Sequence, residues 1–136
     1  MSLLHTFTNS LGEIEVVPYP IWCDNVIMRC RVLPDCIGIK GMDRIWPLKQ
    51  RAVRDLYNHC VTDSNLTELW IFGSATQERC NLDSDLDIAY RHADNADAFR
   101  LFASSVDANG VDLIDLDTVA EFSRLWIQIH KGVRLI

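Results

Sequence analysis

The sequence predicts an α+β fold: a β-sheet packed with helices, preceded by a β-rich N-terminal extension. Three observations carry this. The 136-residue length suits one domain with a real core. About half of the residues are apolar and a quarter charged, the balance of an ordinary globular chain. Signals of period two dominate before Pro47, and helical and strand patterns alternate after it. The expected division is an extension over residues 1–46, not independent, and a domain over residues 47–136.

The extension reads as two or three strands, with a hairpin among them. Glu13 to Val17 alternates polar and apolar residues, and Val26 to Val32 is rich in β-branched side chains. Turn formers surround them at Pro18, Pro20, Asp24-Asn25 and Pro34-Asp35. No chemistry is visible there.

From Pro47 the order is helix, strand, strand, helix, strand, helix. Leu48, Ala52, Val53, Leu56, Tyr57 and Cys60 form one helical stripe, with Pro47 in the first turn. Leu69 to Phe72 is a buried strand ending at Gly73, and Leu86 to Tyr90 a second strand. Phe99, Phe102, Ala103 and Val106 mark a helix stopped by Asn109-Gly110. Val111 to Leu116 is a third strand. Thr118 and Glu121 have capping-box spacing ahead of the stripe Phe122, Leu125, Trp126, Ile129. Gly132 ends that helix, and Val133 to Ile136 is a short last strand.

Composition narrows the function. The net charge is −6, with 14 Asp against 5 Glu. Such a chain is poorly suited to gripping duplex DNA, which takes clustered Lys and Arg. A polyphosphate is still within reach if metal ions supply positive charge. No apolar run approaches the ~18 residues of a membrane helix, and Met1 to Ser10 lacks the pattern of a secretion signal. The five cysteines (23, 30, 36, 60 and 80) include no C-x-x-C pair, and no His stands beside one at zinc spacing. They read as free thiols in a cytoplasmic protein. The four Trp read as core residues first and interface residues second.

The acidic pairs carry the chemistry. Chance alone places one or two D-x-D pairs in a chain this rich in Asp, and three are present. Their context matters more. On a strand, Asp85 and Asp87 project from one face while Leu86, Ile88 and Tyr90 take the other. Two adjacent carboxylates resist ionising together unless a cation lies between them, and Mg²⁺ prefers such oxygens. Asp112 and Asp115 are three apart on the third strand, so only one of them joins that face. Asp117 is free to cap the next helix. Gly73 and the Ser74 hydroxyl beside it suit either a plain turn or a phosphate seat, glycine letting the backbone approach a ligand.

Together these elements resemble the nucleotidyltransferase superfamily of DNA polymerase β. The resemblance is nearest to its minimal nucleotidyltransferases, and the spacing is similar to that of antitoxins paired with HEPN-domain toxins. The family pattern is hydrophobic-Gly-Ser, a spacer, Ser-Asp-x-Asp, then hydrophobic-Asp-hydrophobic. Here it reads Ile71-Phe72-Gly73-Ser74, Ser84-Asp85-Leu86-Asp87 and Val111-Asp112-Leu113. It spans residues 47–136. One departure stands out: Gln77 and Glu78 hold the spacer positions where the family often has Arg then Gly, and Arg79 is displaced by two.

The resemblance implies a nucleotidyltransferase-like mixed sheet and transfer of NMP, AMP from ATP first among the NTPs, to a hydroxyl acceptor. It implies Gly73 and Ser74 as nucleotide-binding residues. It implies Asp85, Asp87 and Asp112 as catalytic residues and ligands of two Mg²⁺ ions. A HEPN-type protein is the expected partner, and a homo-oligomer is left open. The competing expectation is a degenerate module that binds a nucleotide or a partner without catalysis.

Overall fold

The computed structural model describes residues 4–8, 14–18, 22–23, 28–77, 80 and 83–136. Two antiparallel hairpins lie at the N-terminus. β1 (Leu4–Thr8) pairs with β2 (Ile14–Pro18), and β3 (Trp22–Cys23) with β4 (Met28–Arg29). Of the strand foreseen over residues 26–32, Met28–Arg29 is strand and residues 30–32 are not. Glu13, Pro20, Asp24-Asn25 and Val26 lie outside the described residues.

Residues 30–46 form no strand, yet they enter the core. Leu33, Cys36, Met42 and Ile45 are buried in the same cluster as the sheet. Gln50, fully buried, holds this irregular segment. Its Oε1 accepts the Leu33 N–H at 2.8 Å, and its Nε2 donates to Arg31 O at 2.8 Å and Ile45 O at 2.9 Å. A buried segment without ladder partners needs such a substitute, because orphaned backbone groups are costly.

α1 (Pro47–Cys60) starts at Pro47 as expected, since proline's missing N–H costs nothing in a first turn. Its buried face differs from the foreseen stripe. Lys49 and Gln50 are buried with Val53, Leu56 and Cys60, while Leu48, Ala52 and Tyr57 are half-buried. Partners explain the rotation: Gln50 meets the backbone groups just named, and Lys49 meets Asp107. Buried polar groups are stable only when paired.

The sheet comprises β5 (Leu66–Phe72), β6 (Leu86–His92), β7 (Val111–Asp115) and β8 (Val133–Arg134), in the order β7-β6-β5-β8. β5 pairs antiparallel with β6 and β8, whereas β6 and β7 run parallel. The sheet is therefore mixed, and the fold α+β as the sequence predicts. α2 (Asp97–Ala103) supplies the connection that the parallel pair requires. Leu69, Ile71, Leu86, Ile88 and Tyr90 meet Val53, Leu56, Phe99 and Ala103 on one face. Phe72, Ala89 and Leu116 meet Ile129 of α3 (Arg124–His130) on the other. Burial on both faces explains the nearly continuous apolar runs of β5 and β6.

Two element ends correct the sequence reading. α2 stops at Ala103, so Val106 lies in the following turn, still packed against the core. Thr118 does not cap α3. It closes a 3₁₀ turn over Leu116–Thr118 and donates from Oγ1 to Asp115 O at 2.7 Å. Ser123 is the cap instead, its Oγ accepting the Trp126 N–H at 3.2 Å. The turn consumed the residues that the capping box needed, so the cap falls five positions after Thr118, at Ser123. Gly132 follows α3 as expected, for a reason of space. A Cβ there would overlap Ile71 O and stand 2.8 Å from Phe72 Cβ.

Cys30, Cys36, Cys60 and Cys80 are buried. Burial pushes the Cys60 thiol up to about 12, and those of Cys36 and Cys80 to about 11. Among the described residues, no helix is long and apolar enough to cross a membrane.

Candidate active site

β5 delivers Gly73 to the start of a 3₁₀ turn, Gly73–Thr76. Gly73 has φ +73, the left-handed region that favours glycine. A Cβ there would also overlap Oδ2 of Asp87 and stand 3.1 Å from its Cγ. The bare Cα thus gives the Asp87 carboxylate its room. The turn itself is anchored. Ala75 is fully buried, and its carbonyl accepts the Trp46 N–H at 2.8 Å. Thr76 Oγ1 donates to Gly73 O at 2.9 Å, and the Gln77 N–H to Ser74 O at 3.0 Å. Ser74 is half-buried, with its hydroxyl bonded to no described residue. The opening N–H groups of such a turn have no partner within it.

Strand register sets the acids. Asp87 faces Phe72 across the antiparallel ladder and Asp112 across the parallel one. Residues in register share a sheet face, so Asp87 and Asp112 stand side by side on adjacent strands. Asp87 is half-buried and Asp112 exposed. Asp115 is in register with Tyr90 instead, on the opposite face. It is engaged as a cap, its Oδ1 accepting the Asp117 N–H at 2.9 Å. Asp117 forms an ion pair with Arg91.

Asp85 lies one residue ahead of β6, not within it. Its carboxylate leans toward Gly110, where a Cβ would stand 3.3 Å from Oδ1. Asp85 and Asp87 therefore lean to different neighbours, Gly110 before β7 and Gly73 after β5. Among the described residues, no three His, Cys, Asp or Glu side chains gather as they stand into a group able to hold an ion. The donor set nonetheless fits a hard divalent cation in kind, being all carboxylate oxygen. In place, the room left at Gly73 seats the Asp87 carboxylate itself, beside Asp112 in register on the next strand. Closing Asp85 onto such an ion requires drawing it back from Gly110.

One part of this site the sequence did not reveal. Lys49 Nζ donates to Asp107 Oδ2 at 2.7 Å, with the two side chains 3% and 8% exposed. Asp107 Oδ1 also accepts the Asn109 N–H at 3.0 Å, and Asp107 O the Gly110 N–H at 3.1 Å. Gly110 O in turn accepts the Leu86 N–H at 3.1 Å. A buried ion pair thus fixes the loop against which Asp85 rests. The available signal was the run Asp107-Ala-Asn-Gly110, legible as a turn but silent about a lysine 58 positions earlier. Glu78 and Arg79 of the spacer lie outside the described residues.

No family model matches this chain, and no curated protein does. Among solved structures it is similar to a crystal structure of a mutant of the toxin–antitoxin MntA-HpeT, at 24% identity and a TM-score of 0.43. That match covers 62% of this chain and 69% of the other. It is too distant to assign a family.

Proposed function

We propose that residues 47–136 form a nucleotidyltransferase domain that moves NMP, AMP from ATP first, onto a hydroxyl of a partner protein. The supporting observation is the Gly73–Asp87 junction, with Asp112 in register beside it. A left-handed glycine, a hydroxyl and two strand-borne carboxylates converge at one edge of a mixed sheet. The sequence resemblance to minimal nucleotidyltransferases assigns each a role.

Ser74 and the N–H groups of its turn hold the β- and γ-phosphates. Asp85, Asp87 and Asp112 would hold Mg²⁺, which when bound neutralises the triphosphate and lowers the pKa of the attacking hydroxyl. Asp112, exposed and in register beside Asp87, takes that hydroxyl's proton. The acceptor oxygen bonds to the α-phosphorus as the bond to the β-phosphate oxygen breaks, and pyrophosphate leaves. A chain of net charge −6 repels bare polyphosphate, so the cation is a condition of binding.

The partner class that the sequence resemblance favours is a HEPN-type toxin in the cytoplasm. The test co-incubates such a partner with the protein, Mg²⁺ and ATP labelled at either the α- or the γ-phosphate. Transfer of α-label only, abolished in Asp87→Asn, is the expected result. Undiminished transfer in Asp87→Asn overturns the mechanism. Gln77, where the family often has Arg, favours a second reading: a module that neutralises its partner by contact. That reading expects partner binding without label transfer in the unaltered protein.

A further inference from the structure

The sheet face that carries Asp87 also carries a groove of about 280 Å³, lined by Glu68, Arg91, Asp117, Glu121, Trp126 and His130 among others. Trp126 and His130 are its aromatic lining, and Phe122 and Trp70 pack on them from beside the groove. Phe122 packs on Trp126 at 4.7 Å, Trp126 stacks on His130 at 3.9 Å, and His130 meets Trp70 at 4.8 Å. Phe122 is 73% exposed and has φ +61, a conformation that bulky residues avoid. A large aromatic held outward at the cost of backbone strain is unexplained by the core. Leu125 beside it is also exposed. Three carboxylates against one guanidinium leave the groove two net negative charges when His130 is neutral.

We propose that this aromatic, acidic groove docks a cationic side chain, arginine first, of a protein partner. Cations favour aromatic faces and carboxylate rims together. Glu68 and Asp117 both pair with Arg91, so Glu121 is the groove carboxylate left to meet an incoming guanidinium. Glu121 is exposed and bonded to no described residue, so its charge is available. The same rim repels phosphates, which disfavours a nucleic acid stacked on the rings. Arg91 is four residues beyond Asp87 on one strand face, about 13 Å away. An extended partner segment anchored here presents a hydroxyl some four residues from its arginine to the carboxylates. The inference deepens the transferase reading by naming what its acceptor carries.

The test titrates hexa-arginine into ¹⁵N-labelled full-length protein, without ATP or metal, and follows the indole N–H signals. The Trp126 signal shifts on binding, and hexa-citrulline, which is neutral, leaves it unmoved. Phe122→Gly relieves the φ strain and leaves the net charge unchanged, yet weakens binding about fivefold, and Glu121→Lys weakens it further. The titration holds neither nucleotide nor metal, so its outcome is read apart from the fate of the transferase reading. Equal binding by Phe122→Gly, or a single-stranded RNA shifting Trp126 where hexa-arginine does not, overturns the proposal.

Discussion

Replacing Lys49 with methionine removes one partner of the most buried ion pair described in the molecule. At 2.7 Å and an effective dielectric constant of about 20, the attraction before desolvation is about 6 kcal/mol. Most of that offsets the burial of two charges. The relevant quantity is the carboxylate left behind: breaking a buried pair costs about 3–5 kcal/mol. Asp107 keeps its bond from the Asn109 N–H, so the loss falls at the lower end, about 3 kcal/mol. With a urea slope of about 1.5 kcal/mol per molar, the unfolding midpoint drops by about 2 M. Urea titration followed by tryptophan fluorescence reads this directly. The double variant Lys49→Met/Asp107→Leu removes both charges and recovers most of the loss. A midpoint shift below about 0.5 M in Lys49→Met would refute the reasoning, as would a double variant less stable than the single.

Other expectations follow from the same geometry. Gly73→Ala forces a Cβ into the left-handed region and onto the Asp87 carboxylate; it costs about 2 kcal/mol in thermal unfolding and abolishes metal-dependent nucleotide binding. Ser74→Ala, half-buried and without a described partner, leaves stability unchanged. His92 and Asp63 make a pH-sensitive pair at 3.0 Å. Burial works against the charged form of His92, but the Asp63 carboxylate and the Asp94 carbonyl outweigh it and raise its pKa. The hydrogen bond to His92 in turn lowers that of Asp63. The histidine's contribution is full below about pH 6.5 and lost as pH rises above it, while the aspartate's is lost as pH falls below about 4. His92→Gln therefore destabilises more at pH 5.5 than at pH 8.5, and equal losses at both would contradict the pairing. Cys30, Cys36, Cys60 and Cys80 stay unlabelled by iodoacetamide at pH 8 until the protein unfolds, as peptide mapping by mass spectrometry can check.

How much was legible depended on the range of the interaction. Period and punctuation are local, so Pro47, the apolar runs of β5 and β6 and the stop at Gly132 were readable one residue at a time. Alternation also placed Leu86 and Ile88 in the core opposite Asp87. What failed needed distant partners. Lys49 and Gln50 fall outside the apolar stripe of α1 and are nonetheless buried, because Asp107 and the backbone of residues 31–45 receive them. Thr118 matched a cap by spacing, but a 3₁₀ turn had already claimed it. The choice between Asp112 and Asp115 was open in sequence because alternation says that they differ in face without saying which face meets Asp87. Only the register of β6 with β7 decides that.

The central claim is a metal-completed triphosphate site at Gly73, Ser74, Asp85, Asp87 and Asp112. Its most direct test is calorimetric titration with a non-hydrolysable ATP analogue, with and without Mg²⁺, on the unaltered protein and on Asp85→Asn/Asp87→Asn. The account predicts binding that requires Mg²⁺ and disappears in the double variant while the fold, read by circular dichroism, persists. Binding that is indifferent to Mg²⁺, or retained by the variant, would contradict it.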